Sequence, residues 1–333
     1  MGFRLIVSPG PPGYYVNDSG SHSRRWPSLV GWPPYEGNLQ GPVIIEGEAG
    51  KPPPLLCTDG YGDGVLYYQE GLFITGDFDA TFRHLRFQCF RRQDGYGNYA
   101  AIRLGPSVFN RPLKNRIVIE DCEISACDDG ILGGGAGQHV LLRRCHFHHN
   151  GNGTGRCHNI YVAEADELVV EDLLSTDCAI GHLLKSRAAA TTIRNSRLLG
   201  AAGTESACLD VPNAGLLTID RLVCEKSPGS DAGWVIHYSG ESQAFHNPSA
   251  VVIRNLTMVT PAALRRHPSW PLEGLANQSG AGPAASGPGS HFIPVQAEAV
   301  EVFGLTARNS GLPCRILSKR PAIDRQSPLT WEA

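Results

Sequence analysis

Apolar residues return along this chain in one hexad, with an apolar first position and Leu, Ser or Cys at the fourth. It occurs at Phe82–Phe87, Ile119–Ile124, Leu142–Phe147, Val170–Ser175, Ile193–Leu198, Ile219–Cys224, Ile253–Met258 and, more weakly, Val302–Ala307. The starts are separated by 37, 23, 28, 23, 26, 34 and 49 residues. The last gap reads as two turns, or as one turn carrying a long loop. Period-2 alternation with insertions at fixed points predicts a solenoid of parallel strands whose loops vary in length. Helical repeats would space apolar residues by three and four, and these windows do not.

The pattern is clearest from Cys157 to Gly215, where three stretches share one plan: a short polar strand (HNIYV, HLLKS, ACLDV), a turn, then an apolar strand. His158 and His182 lie 24 residues apart, as do Tyr161 and Lys185, and Asp210 follows Lys185 by 25. The expected fold is all-β, a single-domain right-handed parallel β-helix of about eight to ten turns over residues 41–312. Residues 1–40, rich in Pro, Gly and aromatics, read as an irregular cap over an otherwise open strand edge. PVIIEG (42–47) is the first predicted strand. Residues 260–291, rich in Gly, Ala, Ser and Pro, read as a flexible insertion, and 313–333 as a closing cap or disordered tail.

Composition supports this picture. With 39 Gly and 24 Pro but 2 Met, the chain suits short strands and tight turns rather than helices. A net charge of −3 offers no basic surface for nucleic acid. No apolar run reaches the roughly 18 residues of a membrane span, and the opening MGFRLIVSPGPPG is too short in apolar core for a signal peptide. A leader removed from a secreted or periplasmic protein is compatible with this reading. The ten cysteines lack C-x-x-C spacing, and Cys122 and Cys145 occupy equivalent hexad positions, so most read as buried free thiols.

Alternation on the polar strands turns Ile160, Leu184, Leu209 and Ile236 inward and Tyr161, Lys185, Asp210 and His237 outward as one column. His158 and His182 flank the same face, and Asn159 alternates outward beside Tyr161. Acid, base and phenol in a row on a flat face suit a long acidic polysaccharide, whose reactive linkage must meet several groups at once. In β-elimination, a base removes the proton α to a uronate carboxylate while a cation or metal stabilises the developing charge. In hydrolysis, two carboxylates flank the glycosidic oxygen.

The periodic region resembles the right-handed parallel β-helix superfamily typified by pectate lyases. LLKSRAAATTIRNSRL is similar to the Lys-Ser motif followed by an Asn turn in alginate lyases and chondroitinase B, and the likeness implies that Lys185 is the base acting on a uronic acid. The block HNIY…GHLLKSRA…LDVPNAG also resembles a group of bacterial β-helix repeat proteins. Those lyases carry an arginine about one turn after the lysine, where this chain has Asp210. A neighbouring carboxylate favours the protonated amine. Lys185 then reads as a charge neutraliser, oriented by Asp210, with Tyr161, His158 or His182 moving protons. Arg187 stands in for the arginine, and Asn159, Arg187 and His237 are candidate substrate contacts.

Other readings remain open. CDDGILGG, with Asp128 and Asp129, is weakly similar to the paired aspartates of polygalacturonase-type hydrolases, but lies about two turns from His182. Lys185 with Asp210 is equally a surface ion pair on a non-catalytic glycan-binding or structural solenoid. His146, His148, His149 and His158 are close in sequence, but alternation sends His149 opposite to the first two, against a metal site. DGYGDG and DGYGN offer Asp59, Asp63 and Asp94 to calcium, though Asp-Gly is first a turn signal. Asn195, Asn213 and Asn255 read as structural turn residues.

Overall fold

The computed structural model describes residues 3–7, 14–15, 42–57, 71–76, 78–88, 99–105, 114–231, 234–238, 246–261, 292–295, 299–308, 315–318, 323–325 and 330–332. Among them every regular element is a strand, and every pairing between strands is parallel. No helix among these residues is long and apolar enough to cross a membrane. Asp59, Asp63, Asp94 and all but the first two residues of the 260–291 insertion lie outside the described residues.

The chain visits three ladders in rotation. The first runs through Val43–Gly47, Ala80–Arg83, Arg116–Glu120, His139–Arg143 and Glu167–Glu171. A second collects the short strands Leu55–Cys57, Arg86–Gln88, Glu123–Ser125, His146–His148 and Leu174–Thr176. Ala190–Leu199, Ala214–Glu225, His246–Val259 and Ala299–Arg308 are long enough to serve both. The third is a separate sheet of Gly71–Ile74, Ala100–Leu104, Asp129–Gly133, Ile160–Val162, His182–Ser186, Ala207–Val211 and Trp234–Tyr238. Each passage of the chain adds one layer.

The hexads cross the corner between the first two ladders, and their first residues are direct register partners from Phe82 through Ile119, Leu142, Val170, Ile193, Ile219 and Ile253 to Val302. The 49-residue gap before Val302 is therefore one layer, and the intervening residues do not disturb the pairing. In each of these eight layers the third hexad residue bends the chain with a positive φ: His84, Asp121, Arg144, Asp172, Asn195, Arg221, Asn255 and finally Gly304. Left-handed backbone is costly for most side chains, so Asn, Asp and Gly are suited to it, and Asn195 and Asn255 hold these turns as expected.

The fourth residue then points inward. Leu85, Cys122, Cys145, Leu173, Ser196 and Leu222 are all buried. Cys122, Cys145 and Ser196 each turn their Sγ or Oγ to the carbonyl two residues back. Cys122, Cys127, Cys145, Cys157, Cys178, Cys208 and Cys224 are buried thiols, as hydrophobic fillers require. Ile102, Ile131, Leu184, Leu209 and Ile236 of the third sheet join the hexad residues in one core.

The stack begins and ends beyond the expected limits. Phe3–Val7 pairs residue for residue with Val43–Gly47, so PVIIEG is not the first strand. Ile323–Arg325 and Thr330–Glu332 extend the ladders past Pro313. Inside the stack, Lys226 and Glu205 form an ion pair with both side chains fully buried, and the ammonium also donates to the Ser206 carbonyl at 2.7 Å. Lys226→Met leaves that carboxylate without its cation and is expected to cost about 3–5 kcal/mol, read as a lower urea midpoint; an unchanged midpoint would contradict the pairing.

Candidate functional site

Strand alternation on the third sheet produces the expected column. Tyr161 pairs with Lys185, Lys185 with Asp210, and Asp210 with His237. Leu184, Leu209 and Ile236 are inward and fully buried. One layer spacing, about 4.8 Å, separates successive members, close enough for their termini to meet. Asp210 is the hub. Its Oδ2 lies 2.9 Å from Lys185 Nζ and 3.3 Å from His182 Nε2, and its Oδ1 lies 2.7 Å from His237 Nδ1.

The cluster is not the exposed surface pair that the sequence also allowed. Lys185, Asp210 and His237 are 7%, 1% and 7% exposed. Burial pushes the Asp210 carboxyl up, yet the His182 imidazole, the His237 hydrogen bond and the Lys185 ammonium together hold it well below the usual carboxylate range. The ion pair is kept in place by both partners' burial, because separating them would strand a charge.

His158 and His182 stack on one another, with centroids 4.8 Å apart and planes 8° apart. Burial drives His182 down to about 4 against the pull of Asp210, and burial, with His182 and Lys185 adding to it, drives His158 well below its ordinary value. Both rings are thus neutral at pH 7. His158 Nδ1 accepts the His182 backbone N–H at 2.9 Å, which leaves its proton on Nε2. His182 Nδ1 is buried without a hydrogen-bond partner.

Tyr161 is the half-buried member, and its surroundings are cationic and aromatic. Arg187 Nε donates to its phenol oxygen at 2.9 Å, Lys185 Nζ lies 5.6 Å from its ring centre, and His158 meets it edge-on at 5.4 Å. Arg187 also donates to Asn213 Oδ1, and its carbonyl accepts from His246 Nε2 at 2.8 Å. Tyr161, Lys185, His158, His182, Asp210, Arg187 and His237 therefore share one connected cluster. Asn213, read from sequence as a turn residue only, belongs to it; the signal was its place three residues after Asp210. His246 had no such signal, since it sits at the start of a strand in a different ladder.

Asn159 is a correction. It is fully buried rather than outward, its Nδ2 donating to Ser175 Oγ and the Thr176 carbonyl and its Oδ1 accepting from Asn150. An amide consumed in this way ties ladders together and is not presented to a ligand. His149 is another: its positive φ breaks the alternation, so its Nδ1 comes within 2.8 Å of His148 Nδ1 instead of facing away. His158 lies just ahead of Ile160–Val162, a strand of the other sheet. Among the described residues no group of three or more His, Cys, Asp or Glu side chains is placed to hold a metal ion.

Asp128 and Asp129 are buried at 2% and 0% exposure, and the register places Asp129 two layers from His182. Asp129 Oδ1 accepts the His158 backbone N–H at 2.7 Å, so this carboxyl anchors the histidine's strand. Burial raises it from 3.8 to about 8, against the pull of that N–H and of the Cys157 thiol. A folded-state value above the unfolded one means the native state keeps a proton the unfolded state has lost, so this group's contribution falls as pH rises from about 4 to 8. Asp129→Asn removes that titration. Its stability relative to the parent should climb across the window by up to about 1.4 kcal/mol per pH unit, measured by urea unfolding at pH 5 and pH 8. An identical difference at both pH values would contradict the buried, protonated carboxyl. Set against protein-family models, curated proteins and solved structures, the chain matches none of them.

Proposed function

We infer that the stacked parallel ladders are a right-handed parallel β-helix, and that the protein cleaves an acidic polysaccharide by β-elimination. The observation that carries this reading is the setting of Tyr161, whose phenol oxygen is held by Arg187 while Lys185 lies over its ring. A uronate carboxylate drawn to the two cations would have its α-proton beside the phenol and the neutral histidines. Abstraction of that proton moves electron density toward the carboxylate, which Lys185 and Arg187 stabilise. The density then forms the C=C bond as the β C–O bond breaks. The departing oxygen takes a proton, leaving an unsaturated uronate and a new end on the other fragment.

In this scheme Lys185 neutralises charge rather than taking the proton, because its Nζ is paired with Asp210 Oδ2 at 2.9 Å. Tyr161 and His182 move protons, with His158 stacked behind them. Asp210 and His237 orient the lysine, and Asn213 orients Arg187. Hydrolysis is the weaker alternative, since Asp129 is enclosed and bound to backbone.

A second reading has its own support. Asp210 is 1% exposed with both oxygens engaged, which also suits a staple between layers in a non-catalytic glycan-binding or structural solenoid. Incubation with alginate, pectate, glycosaminoglycans and bacterial exopolysaccharides separates the two. Elimination predicts ultraviolet absorbance from unsaturated uronate, and Tyr161→Phe should lower that rate about 10²- to 10⁴-fold with the melting curve unchanged. New reducing ends without the absorbance would indicate hydrolysis. Binding without either product, equal in parent and variant, would indicate the staple.

A further inference from the structure

The outward face of the first ladder carries a pattern that the proposed reaction does not use. One column reads, layer by layer, Ile6, Glu46, Arg83, Glu120, Arg143, Glu171, Arg194, Asp220, Arg254, Phe303. Acid and base alternate without a break through eight successive layers, with an apolar residue at each end. Beside it runs a second outward column that begins at Arg4 and ends at Glu301; between them stand Ile44, Thr81, Val118, Leu141, Val169, Thr192, Thr218 and Val252, all partly exposed and uncharged. Both large hydrophobic residues that stand exposed among the described residues, Ile6 and Leu216, are on this same face.

An alternating row with an even number of members has a particular symmetry: read backwards, it is its own complement. Turn a second copy about an axis parallel to the strands, so that the stack runs the other way, and each acid meets a base. Glu46 faces Arg254, Arg83 faces Asp220, Glu120 faces Arg194, and Arg143 faces Glu171. Ile6 meets Phe303, and in the neighbouring column Leu141 meets Val169 and Thr81 meets Thr218. The same face laid on itself with both stacks pointing one way would oppose like charges throughout, so the pattern selects one orientation.

We propose that this face is the contact between two copies of the chain in an antiparallel, two-fold dimer. The interface is isologous, as closed dimers require. Ten layers and a five-residue strand cover roughly 43 by 16 Å, or about 700 Å² per copy. The roughly 1,400 Å² shared by both copies falls within the range of about 1,200–2,000 Å² for stable specific interfaces. Within one chain Glu46–Arg83, Glu120–Arg143 and Glu171–Arg194 are already paired. In the dimer Glu120–Arg143 meets Arg194–Glu171 of the other copy in reversed order, so these charges are shared between copies rather than stripped of partners; toward the ends Glu46 is also held by Arg4, Asp220 pairs with Arg221, and Arg254 lies over Phe303 in its own chain.

The test is the mass of the full chain in solution, by light scattering after gel filtration and by sedimentation over a hundredfold range of concentration. The parent is expected to be a dimer whose dissociation constant rises with salt. Arg143→Glu sets acid against acid on both sides of the axis and should weaken the dimer at least tenfold. Arg143→Glu with Glu171→Arg restores the pairs across the axis and should recover it, although within each chain it places like charges next to Glu120 and Arg194. Circular dichroism melts of both variants distinguish a lost contact from a lost fold. A parent that stays monomeric, an assembly larger than two, a dimer unmoved by Arg143→Glu, or a double variant no tighter than the single one would each overturn the proposal.

Discussion

Everything in this structure follows from register between parallel strands. Because each layer pairs with the next in the same direction, a residue type placed once is repeated directly above itself, and small local preferences become continuous columns. The constraint that keeps the columns aligned is the left-handed residue at the third hexad position, found in layer after layer from His84 to Gly304. It turns the chain at one fixed place, so loops of very different length can be added elsewhere without moving the strands.

That alignment makes a charged cluster possible on a short stretch of sheet. Tyr161, Lys185, Asp210 and His237 are far apart in the chain but are successive rungs. Neighbouring rungs place an ammonium, a carboxylate and an imidazole at hydrogen-bond distance with little freedom to move away. Burial then sharpens their interactions, because a paired group in a low dielectric loses much if its partner is removed. The neutrality of His158 and His182 comes from the same enclosure.

Much of this was legible in the sequence because it depends on period alone. The hexads gave the true register from Phe82 to Val302, and alternation from Ile160, Leu184, Leu209 and Ile236 identified the outward column. What escaped was set by backbone shape or by contacts across ladders. Alternation placed Asn159 outward, but the residue lies just ahead of its strand, where its amide turns to the neighbouring ladder. His149 failed for a related reason, since a left-handed bend resets the parity. Burial of Lys185 with Asp210 was not foreseeable, as strand alternation tells which side a residue takes and not what covers it. Phe3–Val7 was missed because a single strand ahead of a long Pro- and Gly-rich stretch of sequence shows no repeat.

The alternating charge column bears on how such a chain can change its length. Solenoids grow and shrink by whole units, and a strand stack ordinarily tolerates the loss of any one. Here, excising one layer between Glu46 and Arg254 would bring two like charges into contact at the seam, whereas excising two would leave the alternation whole. Duplication obeys the same parity, so this ladder is expected to evolve, and to be engineered, in steps of two.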